Sequence, residues 1–122
     1  MANDFKRFTV NNVNTSSGAS ASAVYTVPAG AGSTALESII IGITLSNTTS
    51  TGITASVFLD NHTGSNDVHV VKDATIPAGS SLEVMAGNKL VLQNDGSTGD
   101  VLRVSAGTAS ACDAIISVLE DV

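Results

Sequence analysis

Residues 36–46, Leu36-Glu37-Ser38-Ile39-Ile40-Ile41-Gly42-Ile43-Thr44-Leu45-Ser46, decide the fold of this 122-residue chain. Ile39, Ile41, Ile43 and Leu45 fall on one parity, and Ser38, Ile40, Gly42, Thr44 and Ser46 on the other. A two-residue period is that of a strand, so the first set is expected in the core and the second toward solvent.

The same texture extends in both directions. Phe5 to Val13, with Phe8 and Val10 on one parity, reads as a first strand, and Asn14 to Ser22 as a mobile polar loop. Ala23, Tyr25 and Val27 alternate with Val24 and Thr26 until Pro28-Ala29-Gly30 stops the run. Further strands are expected at Ile53–Asp60, Asp67–Lys72, Ser81–Met85, Lys89–Gln93, Val101–Ala106 and Ala114–Leu119. Nine short strands predict an all-β chain folded as a two-layer β-sandwich, jelly-roll-like in character. Residues 1–22 are expected as an N-terminal strand or arm with a flexible loop, and 23–122 as the sandwich of a single domain. In the last segment Cys112, Ile115, Ile116 and Leu119 have helical spacing, whereas Ile115, Ile116 and Val118 are β-branched. The strand reading is preferred there, with helix as its alternative.

An internal repeat runs at an offset of about 47 residues. Val27-Pro28-Ala29-Gly30 matches Ile76-Pro77-Ala78-Gly79, Leu45-Ser46-Asn47 matches Leu92-Gln93-Asn94, and Ser50-Thr51-Gly52 matches Ser97-Thr98-Gly99. Bias toward Ser, Thr and Gly accounts for such matches by itself. Two similar β halves account for them as well. Pro28 and Pro77 mark strand ends, because proline fixes φ and lacks the N–H a paired strand needs; Gly30 and Gly79 are then free to take positive φ.

Composition narrows the function classes. Five Lys plus Arg against eleven Asp plus Glu give a net charge of −6, which repels phosphate backbones and argues against nucleic-acid partners. Charged residues are only 13% of the chain, against ~25% in ordinary soluble domains, so coverage of part of the surface by other subunits is expected. Asp4, Lys6 and Arg7 interrupt any apolar leader, and no later run approaches the ~20 apolar residues that span a bilayer. Synthesis as a soluble cytosolic product without a membrane partner is therefore expected.

Reactive groups are sparse. Cys112 is the single cysteine, beside Asp113, which raises rather than lowers a thiol pKa; a buried structural role is expected. Glu37, Glu83 and Glu120 form no spacing that singles out an acid–base pair, and Glu37 and Glu83 are expected on solvent faces. Asp60-Asn61-His62 and Asp67-Val68-His69 repeat an Asp-x-His pattern across a hairpin loop with Thr63, Gly64, Ser65 and Asn66 between them. Asp60, His62, Asp67 and His69 are thus the candidate metal ligands, although surface loops favour the same residue types without any metal. No nucleotide-binding glycine motif is present, and no catalytic residue or cofactor is expected.

The stretch His69 to Met85, followed by Gly87-Asn88-Lys89-Leu90-Val91-Leu92-Gln93, together with Tyr25 to Asn47 and the ending Ile116-Ser117-Val118-Leu119-Glu120, resembles small virion structural proteins of tailed bacteriophages, marine and cyanobacterial ones in particular. The resemblance implies a β-sandwich or jelly-roll-like subunit attached to the particle as a decoration, cement or tail-associated component. It implies localisation in the virion after assembly in the host cytoplasm, and as partners major capsid or tail proteins. A homo-oligomer, favoured as a trimer, is expected to work by buried surface without catalysis. Phe5, Phe8 and Val10 are the interface candidates. A receptor- or carbohydrate-binding module of a tail or fibre is the alternative.

Overall fold

A computed structural model describes residues 3–62, 67–85 and 89–121. The described residues form nine strands: β1 (Asn3–Val10), β2 (Ser22–Thr26), β3 (Leu36–Asn47), β4 (Ile53–Asp60), β5 (Asp67–Ile76), β6 (Ser81–Glu83), β7 (Leu90–Asn94), β8 (Val101–Ala106) and β9 (Cys112–Asp121). A short 3-10 turn, Gly18–Ser20, precedes β2. The turn expected at Thr63, Gly64, Ser65 and Asn66 lies outside the described residues.

Two antiparallel sheets pack as a sandwich. The first runs β1-β9-β3, with β7 pairing the start of β3 and β6 its end; the second runs β2-β8-β4-β5. Val27, Ile43, Leu45, Val57, Leu92 and Ile116 are among the fully buried side chains between them. The ambiguous last segment is a strand, lying between β1 and β3 with Ala114, Ile116 and Val118 facing the core. Alternation at every second residue in a central strand overrides the helical spacing.

The strand β3 corrects the expected core face. Its register against β9 shifts between Ile40, opposite Val118, and Gly42, opposite Ser117, so Ile41 is an extra residue in a bulge. One inserted residue reverses the parity of everything beyond it. Ser38 and Ile40 therefore point inward before the bulge, and Ile43, Leu45 and Asn47 after it, while Ile41 is 41% exposed. The expectation that Ile39 and Ile41 share a core face with Ile43 and Leu45 fails in its first half.

The repeat in sequence is also a repeat in strand order. Exchanging the halves carries β2-β8-β4-β5 onto itself in reverse. The β4–β8 register obeys the same exchange: Ala55 pairs Ala106, Leu59 pairs Leu102, and Val57 pairs its own counterpart Val104. Of the turn glycines, Gly79 takes φ +65°, whereas the first turn places its positive angles at Gly32 and Ser33.

Residues 3–10, expected as an arm, pair along their whole length with β9 of the same chain. The following segment is tied back at several points. Val13 N–H donates to the Cys112 carbonyl at 2.7 Å, Ala106 N–H to the Asn14 carbonyl at 3.0 Å, and Ser105 Oγ to the Ser16 carbonyl at 2.7 Å.

Candidate functional site

The four metal-ligand candidates sit at one end of the second sheet, where Asp60, His62 and His69 each have a neighbour outside the set. Asp60 and Asp67 are register partners at the ends of β4 and β5. Asp60 accepts from Arg103 Nε at 3.0 Å, and Arg103 Nη1 goes on to the Ala21 carbonyl at 2.9 Å. His62, in the turn beyond β4, places Nδ1 2.5 Å from Asp100 Oδ1, and its backbone N–H donates to the same oxygen at 3.0 Å. The second Asp100 oxygen accepts from Gln93 N–H at 2.9 Å. Burial alone pushes the Asp100 carboxyl up, but the hydrogen bonds from His62 and Gln93 prevail and hold it below the usual range. Asp67 and His69 are exposed on β5, with the His69 ring 5.0 Å from Phe58. The Asp-x-His repeat thus brings Asp60, His62 and Asp67 to one cleft, yet among the described residues no three His, Cys, Asp or Glu side chains cluster as metal ligands would.

Gly18, Ala19, Asp60, His62, Asp67 and Thr98 are among the residues lining an open cleft of about 510 Å³, of mixed polar and apolar lining, beside this end of the sheet. Cys112 is buried in β9, in the other sheet; burial, and then Asp113, push its thiol up and away from a reactive thiolate.

A buried polar cluster fills the opposite polarity niche. On β9 the inward parity of Ile116 and Val118 continues to Glu120, which is 1% exposed. Tyr25 hydroxyl donates to Glu120 Oε2 at 2.5 Å and contacts Ser38 Oγ at 2.7 Å. Lys6 Nζ, from β1, lies 2.8 Å from Glu120 Oε1, which has no other polar partner among the described residues. Phe8, the next inward side chain on β1, packs its ring 4.8 Å from Tyr25. Burial and the Glu120 contact raise the Tyr25 pKa. The cluster staples edge strand β1 to both sheets. Sequence reasoning took Glu120 for a scattered acid, although its parity with Ile116 and Val118 signalled an inward carboxylate. Glu37 and Glu83 are exposed, as their solvent-face assignment requires.

The interface candidates divide by parity. Phe8 and Val10 are half-buried against the core. Phe5 points outward and is 76% exposed. Register pairs set Phe5 beside Leu119, Leu119 beside Ile39, and Ile39 beside Val91, so four apolar side chains cross the solvent face of β1, β9, β3 and β7 in one line. Val91, at its far end, is 53% exposed, and exposed Ile41 stands beside the line at the β3 bulge, with exposed Ile115 farther along the same face beyond Ser117. Only Phe5 of this row was singled out in the sequence, because Ile39 was assigned to the core and Val91 to an unoriented strand.

No protein-family model matches the chain, and no curated protein does.

Proposed function

We propose that this chain is a bacteriophage virion structural protein, a capsid decoration or cement subunit that stabilises the particle through self-association and contacts with the head lattice. The observation that carries the reading is the apolar line Phe5-Leu119-Ile39-Val91 on a solvent face, the kind of surface a monomer leaves poorly hydrated and an assembly covers. The strand order supports it: β1-β9-β3, with β6 and β7 both on the far edge of β3, facing β2-β8-β4-β5, is compatible with the wrapped order of a jelly roll, an architecture of many capsid domains. A net charge of −6 and the pairing of Asp60, His62, Asp100 and Arg103 with one another speak for adhesion by shape and against catalysis or nucleic-acid binding. Membrane association has no helical support, since no helix of the described residues is long and apolar enough to cross a bilayer.

The direct test is to strip purified particles of this protein and add it back. Cosedimentation with heads at a fixed stoichiometry, and restored resistance of the heads to heat or low salt, are the expected results. Failure to bind heads refutes the reading. The cleft beside Asp60 and Thr98 favours a second reading, a tail or fibre module that binds a host glycan, since jelly rolls also serve as lectins. Saturable binding on a glycan array, lost on filling the cleft with Ala19→Trp, would favour that one.

A further inference from the structure

We infer that the solvent face of the first sheet is a self-complementary interface on which a second copy of this chain docks, related by a twofold axis lying along the line Phe5-Leu119-Ile39-Val91. The inference rests on the reading of the chain as an assembly subunit and adds what covers its apolar face. Extent is the first argument. Strands β1, β9, β3 and β7, of 8, 10, 12 and 5 residues, lie ~4.8 Å apart at ~3.4 Å per residue and together present roughly 500–600 Å². A pair would then bury about 1,000 Å² in total, the threshold at which specific protein–protein contacts begin.

Charge placement is the second argument, and it selects the symmetry. Glu37 is exposed one step beyond Ile39 toward one end of the strands, whereas exposed Lys89 and Arg7 stand beyond Val91 and Phe5 toward the other end. Two sheets packed face to face with the axis along the line keep apolar residues on apolar residues and turn the strands of each copy end for end. Lys89 of one copy then faces Glu37 of the other, twice over. An axis along the strands instead exchanges the two outer strands and sets Lys89 of one copy on Arg7 of the other, which like-charge repulsion disfavours, while the acids Glu83 and Asp113 stand farther out at that end. A closed twofold pair is the result, in place of the trimer favoured from sequence.

Sedimentation equilibrium and light scattering on the isolated chain up to roughly 100 µM, where even a micromolar contact is filled, provide the test. A concentration-dependent dimer is expected. Val91→Asp should shift it to monomer at unchanged thermal stability. Lys89→Glu and Glu37→Lys should each weaken the pair about tenfold, and the double exchange should restore it, a rescue that only reciprocal contact produces. A monomer at every concentration, a trimer, or a dimer indifferent to Val91→Asp overturns the inference. A dimer that never binds particles supports this interface and removes the virion reading. A monomer that binds particles removes this interface and leaves the virion reading standing.

Discussion

Asn47 and Asn94, equivalent positions of the two halves, each clasp the other half. The Asn47 side-chain amide donates to the Ile76 carbonyl at 3.0 Å, just ahead of Pro77, and the Asn94 amide to the Val27 carbonyl at 2.8 Å, just ahead of Pro28. Each also folds its own turn, because its side-chain oxygen accepts the backbone N–H two residues on, Thr49 at 2.9 Å and Gly96 at 2.7 Å. Where proline ends a strand, the preceding carbonyl has lost its regular ladder, and an asparagine borrowed from the opposite half satisfies it. Gly99 completes the second clasp, since a Cβ there would collide with the Val27 carbonyl.

These clasps predict an order of stabilities. Asn94→Ala strands the buried Val27 carbonyl and should cost about 1–3 kcal/mol. Asn47→Ala should cost more, because the Thr51, Ile76 and Pro77 carbonyls all lose their shared donor. Urea unfolding of the two variants checks the order. Equal midpoints to the parent chain would show the clasps to be incidental.

The bulge in β3 separates two neighbouring isoleucines. Ile40→Ala removes a fully buried side chain and should cost about 2–5 kcal/mol. Ile41→Ser, on the solvent side of the bulge, should stay within about 0.5 kcal/mol. Unfolding is measured below the concentration at which copies associate. The reverse order would restore the unbroken alternation read from the sequence.

That pair of residues also shows where legibility ends. Strand ends at Pro28 and Pro77 follow from the chemistry of a single residue, and the two-residue period of Ile43 and Leu45 reads directly as a buried face. Three isoleucines in a row, however, keep an apolar side chain on both parities, so Ile39 to Ile41 fit the core in either register and a one-residue shift leaves no trace in hydropathy. The site is legible only in part for a related reason. His62 and Asp100 lie 38 residues apart in different halves, and it is the β4–β8 pairing, a property of the assembled sheet, that brings them within 2.5 Å. The apolar line across four strands likewise exists only once every register is set.

Acid should loosen the chain at the Asp100 site. Its carboxyl is held below the ordinary value of 3.8 in the folded state, so the unfolded chain takes up the proton first as pH falls. The contribution is complete above about pH 3.8 and is lost as pH drops through the lower folded value. Asp100→Asn should therefore be less stable near neutrality and show a shallower loss of stability below that pH. Asp95, held down by the Thr98 and Ser97 N–H groups, leaves a residual slope of the same sign. Thermal midpoints measured across the acid range check this, and parallel curves for parent and variant would contradict it.

Alkaline titration isolates Tyr25. It is the single tyrosine of a chain without tryptophan, so near-ultraviolet absorbance reports one phenol. Burial, and then the hydrogen bond to Glu120, raise its pKa above the ordinary value of 10.0. Between the unfolded and folded values the unfolded chain has lost the phenolic proton and the native chain has kept it. Stability is therefore undiminished by this group below pH 10 and falls as pH climbs beyond it, which is opposite in direction to the Asp100 effect. The native chain should show no tyrosinate band near pH 10, and the band should appear together with loss of the strand signal in circular dichroism. Lys6→Met removes the cation that contacts the Glu120 carboxylate and should bring that joint transition to lower pH without uncoupling the two signals. A tyrosinate band rising near pH 10 with the strand signal intact would mean that Tyr25 is not shut into the cluster with Glu120 and Ser38, and that β1 is held to the sandwich by its ladder with β9 alone.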